Sequence, residues 1–165
     1  MITEISPTKF NIFLVANVFY GMRNFLVFHL FFCLAVFMIL VLFASSSLGN
    51  LFLMIYANFI ISMVLHKFGH LIPYLLFTKC RQFFIIKSSL FELSIITKEN
   101  SRLQHVIIAF SGPAICLFVG VAVIQANPLI GLVYCLHIVN YYPTLQDGEN
   151  ILKNIIRSRK KHGSI

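Results

Sequence analysis

The chain has 165 residues, 59% of them hydrophobic and 11% charged, too apolar for a soluble domain of this length to stay dispersed. Its formal charge is +8, with Lys+Arg 13 against Asp+Glu 5. In a soluble protein that balance would point to nucleic acid, but in an apolar chain it reports orientation and anionic headgroups, so a lipid bilayer is the expected partner and nucleic acid is not.

The N-terminal stretch is a poor secretory signal. Glu4 precedes Lys9, and the apolar run Phe10–Tyr20 is short, interrupted by Asn11 and Asn17, and followed by no small-residue cleavage site. Residues 1–24 are expected to form an interfacial or short re-entrant segment. A membrane core over 25–150 and a basic tail over 151–165 complete a single membrane domain.

Phe25–Phe43 is almost uninterrupted and long enough to span a bilayer, which takes about 20 residues. After the tight connection Ser45–Asn50, Leu51–Phe77 is also long enough, but carries His66, Lys67 and His70 in its interior. Val106–Ile124 is a third span, containing the small segment Ser111-Gly112-Pro113-Ala114. A second tight connection, Gln125–Pro128, leads to Leu129–Tyr142, shorter and ending in a polar sequence. The expected fold class is an all-α polytopic membrane protein with about four transmembrane helices.

Between the second and third spans, Phe83–Ile96 is rich in aromatic and β-branched residues around a polar Lys87-Ser88-Ser89 centre, and predicts a short β-hairpin. Its strands would either rest on headgroups or offer an edge to an unwound peptide. Cys33, Cys80, Cys116 and Cys135 form no C-x-x-C pair and three lie in apolar runs, which favours packing over a disulfide framework or a thiolate zinc cluster.

The distinctive motif is His66-Lys67-Phe68-Gly69-His70. Histidines at i and i+4 share one helical face, with Cβ atoms about 5–6 Å apart, and both imidazoles can reach one zinc ion. An intramembrane Lys is costly, about 2.5–3.5 kcal/mol on insertion scales, so such residues point to function. Pro73 cannot donate to the Gly69 carbonyl, so the helix should bend or end near His70. Asp147, beside Gly148, is the acidic residue at the end of the last apolar run, on the same side as His70. It could complete a metal site or cap the following amphipathic segment. Glu92 reads as a solvated strand residue. His29 and His105 lack ligand spacing, and His137, one turn before Asn140, reads as a packed helix residue or a group supporting the site.

Together these residues resemble the site-2 protease family of intramembrane zinc metalloproteases. That family carries H-E-x-x-H on one membrane helix, then a helix opening with a Gly-Pro small-residue segment, then an Asn-x-x-Pro…Asp-Gly element. The matching positions are His66 to His70, Gly112-Pro113, and Asn140, Pro143 and Asp147-Gly148, so the resemblance covers roughly residues 51–150. It implies zinc bound by His66, His70 and Asp147. Asn140 and Pro143 would shape an unwound stretch facing the substrate, a membrane-embedded peptide or single-pass membrane protein. The Asn-to-Asp spacing is about one residue short, with Gln146 at the usual Leu position.

Lys67 stands where the family has its catalytic Glu, the base that takes the proton from the attacking water. An amine with an ordinary pKa of about 10.4 is protonated at neutral pH and cannot do so. Impaired proteolysis is therefore expected. The alternatives are a non-catalytic immunity, chaperone or regulatory subunit, and a helical transporter subunit.

Basic residues orient the chain. Lys9 and Arg23 precede the first span. Lys79, Arg81, Lys87, Lys98 and Arg102 separate the second and third, and Lys153, Arg157, Arg159, Lys160 and Lys161 follow the last. The remaining connections hold none, so four spans put all of these flanking basic residues on one side, with both termini cytoplasmic, in a bacterial plasma membrane. Cysteines placed at positions 100 and 163 should therefore resist membrane-impermeant thiol reagents in intact cells and react only after permeabilisation.

Overall fold

The computed structural model describes residues 2–7, 12–90, 93–97, 101–142, 147–149 and 151–152. The elements run β1 (Ile2–Ile5), α1 (Ile12–Phe43), α2 (Ser46–Thr78), β2 (Phe84–Ser88), β3 (Leu93–Thr97), α3 (Arg102–Ile124) and α4 (Pro128–Cys135). A 3-10 helix, Leu136–Tyr141, continues directly from α4. Three helices, Ile12–Phe43, Ser46–Thr78 and Leu103–Ile124, are long and apolar enough to cross a membrane. The fourth apolar segment, Pro128–Tyr141, is shorter than these.

The first correction lies at the N-terminus. Residues 12–24 are no separate interfacial piece but the opening three turns of α1. Leu14, Val18, Gly21, Met22 and Phe25 are buried at helical spacing. Asn17, Arg23 and Asn24 lie on the exposed face, and the Arg23 guanidinium sits 4.1 Å over the Tyr20 ring. The polar residues that look like interruptions in sequence are thus confined to one side of a continuous helix.

The expected hairpin is present as β2 and β3, and it gains a third strand. β1 pairs antiparallel with β2, Ile2 opposite Lys87 and Ile5 opposite Phe84, giving the order β1-β2-β3. Phe84, Ile86 and Ser88 alternate inward, as a pleated strand requires. They pack under Leu14, Val18, Met22 and Phe25 of α1 and Leu71, Tyr74 and Leu75 of α2. Gly21 lets α1 come down on Ile86, since a Cβ there would stand 3.0 Å from its Cδ1. The Tyr74 hydroxyl donates to the Phe83 carbonyl at 2.8 Å and fixes the sheet to α2.

Local sequence sets the ends of the helices. The Ser45 hydroxyl accepts from the Leu48 amide at 3.2 Å and starts α2, so most of the expected connection Ser45–Asn50 is helical. α2 does not end near His70 but runs through Pro73 to Thr78. It is closed by Lys79 and Cys80, both left-handed (φ 51 and 55), with the Cys80 amide donating to the Leu75 carbonyl at 2.9 Å. The Gln104 side chain accepts from the Ser101 amide at the start of α3. Asn127 caps α4, and Pro128 occupies its first turn.

In lipid, apolar side chains gain little by leaving their surroundings, so helix association rests on close packing, which small residues permit. Gly69 of α2 sits against α3: a Cβ there would meet Ile115 Cγ2 at 2.7 Å, Gly112 Cα at 2.8 Å and the Ser111 carbonyl at 2.9 Å. Gly120 and Gly131 serve the α3–α4 contact in the same way, against Cys135 and Ile124. Gly69→Ala should therefore push backbone from backbone and cost about 1–3 kcal/mol. Gly49→Ala should cost less, because its nearest neighbours are the side chains of Val41 and Phe37. Thermal unfolding of the two variants in one detergent checks the ranking.

Candidate metal centre

His66 and His70 are one turn apart on α2, in the half of the helix that faces α3 and the chain following the 3-10 helix. His66 is only 4% exposed. The His70 ring occupies the space that Gly112 of α3 leaves, because any Cβ there would overlap its Cε1 and Nε2. Its Nδ1 lies 2.6 Å from the Ile108 carbonyl oxygen. A carbonyl only accepts, so Nδ1 carries the proton and donates, and a neutral His70 presents a lone pair at Nε2.

That nitrogen points at one nitrogen and one carboxylate oxygen. His70 Nε2 is 3.1 Å from His66 Nε2 and 3.4 Å from Asp147 Oδ1. Asp147 Oδ2 is 3.1 Å from His66 Nε2. Four ligand atoms set tetrahedrally around zinc at about 2.0–2.2 Å stand about 3.3–3.6 Å from one another. The observed separations, one histidine to each Asp147 oxygen and one between the histidines, lie within a few tenths of an ångström of that spacing, so the three groups are close enough to share one ion with room for a small ligand. The His–carbonyl contact at Ile108 is also the outer hydrogen bond that fixes the tautomer of a metal-binding imidazole. The donor set, two neutral nitrogens and one carboxylate, suits a borderline dication.

Asp147 is followed by Gly148, which packs against the carbonyl oxygens of Tyr141 and Tyr142 more closely than any Cβ allows, so only glycine fits there. Tyr141 is itself anchored: its hydroxyl donates to the Phe110 carbonyl at 2.7 Å, and its ring stacks on Phe110 with centroids 5.0 Å apart. The sequence offered Asp147 either as a ligand or as a helix cap, and in the structure its carboxylate faces the two histidines.

The other expected site residues stand differently. Lys67 is half-buried on α2, near enough to His66 and His137 for its charge to be felt at both. Asn140 lies within the 3-10 helix, and its amide donates to His137 Nδ1 at 3.3 Å. Pro143 lies outside the described residues, as do Glu92 and Lys153–Lys161. His29 is remote from the centre and pairs through Nδ1 with the Tyr56 hydroxyl at 2.6 Å.

Sequence reasoning undervalued His137 and passed over Cys116 and Ser62. The His137 ring stacks on His66 with centroids 4.9 Å apart. Its Nε2 is 3.0 Å from Ser62 Oγ, and the Cys116 thiol donates to the Ser62 carbonyl at 3.3 Å. One signal was available: Ser62 precedes His66 by four residues and so shares its helical face.

No family profile, characterised protein or solved structure matches this chain. The site therefore stands on its own geometry. Gly112→Ala should displace the His70 ring from the Ile108 carbonyl and weaken Zn²⁺ binding about 10–100-fold, as loss of an orienting contact does. Competition with a chromophoric chelator in detergent measures this.

Proposed function

We propose that this chain is a site-2-protease-like membrane scaffold that holds zinc through His66, His70 and Asp147 and engages a membrane-embedded peptide, with proteolysis disabled at Lys67. The observation that carries this reading is the convergence of the three donor groups, from α2 and from the chain following the 3-10 helix, close enough to share one ion. A coincidental pair of transporter histidines has no need of a carboxylate set against them beside a position that only glycine fits.

Topology fits the same reading. An α-helix rises about 1.5 Å per residue and a 3-10 helix about 2.0 Å. Pro128–Tyr141 therefore extends about 24 Å, close to the hydrocarbon thickness of about 30 Å, and serves as the fourth span. Both termini and the sheet then face the cytoplasm of a bacterial cell. β3 is an outer strand of that sheet and offers a backbone edge to an extended peptide.

Bound zinc would supply Lewis acidity at the scissile carbonyl. The chain's own residues then decide whether peptide-bond hydrolysis follows. His70, held by Ile108, and His66 fix the ligand geometry, and Asp147 balances charge. The group next to His66 must accept a proton from water and return it to the leaving amine. Lys67 as an ammonium has no lone pair for the first step, and it adds positive charge where a dication binds. Water beside it stays unactivated, and the scaffold binds the peptide without cutting it.

Zinc-loaded protein in detergent should give little cleavage of a transmembrane-segment reporter, and Lys67→Glu should raise it by about 10²–10⁴-fold, the usual contribution of a general base. Adding Asp147→Asn to the Glu form should abolish the gain. Chelator-sensitive cleavage by the Lys67 form, unchanged or lowered in the Glu form, contradicts the disabled-enzyme reading. Cleavage by neither form removes the latent peptidase and leaves the peptide-binding regulatory or immunity subunit.

A further inference from the structure

His66 belongs to a second cluster that the zinc reading does not use. One nitrogen of His66, one of His137 and the Cys116 sulfur lie within 4.8 Å of one another, with His66 and Cys116 buried and His137 half-buried. The Nε2 of His66 is already engaged by Asp147 and His70. Its other nitrogen, Nδ1, is fully enclosed and has no hydrogen-bond partner among the described residues. A carboxylate only accepts, so Nε2 carries the proton and Nδ1 holds a bare lone pair. A buried polar atom left unsatisfied in a residue 4% exposed calls for an occupant.

We propose that His66 Nδ1, Cys116 Sγ and His137 Nε2 form a second metal site for a soft monovalent cation, copper(I) in class, and that filling it excludes metal from the His66/His70/Asp147 centre. A thiolate with two imidazoles is a soft donor set of the kind that favours copper(I), which accepts three-coordination without water. Charge decides the valence. The Cys116 thiol loses its proton to solvent as the cation binds, so Cu⁺ replaces H⁺ and the buried site stays as neutral as before. A dication in the same place would leave one uncompensated positive charge in an apolar interior that already holds Lys67 nearby. His137 frees its Nε2 by moving its proton to Nδ1, where the Asn140 amide, turned over, accepts it through its oxygen. The Asn140–His137 contact is already in place at 3.3 Å. A trigonal site with metal–sulfur and metal–nitrogen bonds of about 2.3 and 2.0 Å needs donor separations near 3.5 Å, so the donors draw in by about 1 Å and the His137 ring turns out of its stack on His66 to bring both lone pairs onto one ion.

The exclusion follows from His66 itself. A neutral imidazole has one lone pair. With copper(I) on Nδ1, the proton stays on Nε2 and points at Asp147, and a second metal finds a hydrogen where it needs a donor. The copper site requires no peptidase chemistry. Only the antagonism rests on the zinc reading, and failure of the copper-free protein to take up zinc would identify that failure by itself.

The test uses the full chain in detergent, with copper(I) in competition with bicinchoninate. The wild type should bind one equivalent, and X-ray absorption at the copper edge should show one sulfur and two nitrogen neighbours. Cys116→Ser and His137→Phe should each weaken binding about 100-fold, while Cys33→Ser changes it less than about twofold. Prior copper(I) should lower Zn²⁺ affinity at least about tenfold in the wild type and not in Cys116→Ser. Should Cys116→Ser fail to fold, the variant keeping Cys116 as its sole cysteine decides, and its spectrum must retain the sulfur neighbour. Absence of sulfur there, copper(I) affinity unchanged in a folded Cys116→Ser protein, or preferential Zn²⁺ binding with a sulfur neighbour overturns the proposal.

Discussion

Everything at the centre of this molecule depends on how closely α2 can lie against α3. Gly69 and Gly112 allow the two backbones to meet, and that approach does two things at once. It supplies packing in a setting where hydrophobic transfer contributes little, and it brings the Ile108 carbonyl within 2.6 Å of His70. A helix pair spaced by larger residues would leave the His70 ring free to rotate, and the imidazole would no longer present one defined nitrogen. The histidine motif is necessary for the site, but the glycines on its neighbour decide which way it points.

Burial sharpens the consequences of that arrangement. His66 belongs to two groups of candidate donors; its Nε2 faces Asp147 and His70, and its Nδ1 has no hydrogen-bond partner among the described residues. In water such an ambiguity would be averaged by exchange with solvent. In a site this enclosed, the proton on His66 is located by the Asp147 carboxylate. Lys67 adds a charge to the same neighbourhood. The state of the region thus depends on a small number of discrete proton positions, each of which alters the others.

Much of this could be read from the residues alone, and the parts that could not share a physical cause. The apolar runs located the long helices, and the aromatic, β-branched stretch over 83–96 located the hairpin, because composition and periodicity are local properties. The spacing of His66 and His70 announced a shared face for the same reason. The third strand was missed because β1 pairs with β2 across about eighty residues, and no local pattern marks Ile2–Ile5 as its partner. Residues 12–24 were misjudged because Asn17, Arg23 and Asn24 look like breaks when counted and like one exposed face when placed on a helix. Asp147 could be named as a ligand candidate, but whether it bound or capped was a question of tertiary placement. Cys116 and Ser62 were invisible as site residues because each is an ordinary small residue in an apolar run until α3 is laid beside α2.

The 3-10 helix Leu136–Tyr141 has a consequence of its own. Wound as an ordinary α-helix, its six residues would be shorter by about 3 Å. That is longer than a metal–ligand bond, and the difference would be felt at Tyr141, the last residue of the segment. The tight winding therefore works as a ruler. It sets where Tyr141 stands against Phe110 of α3, and with it the place of Gly148, which packs on the Tyr141 carbonyl directly beside Asp147.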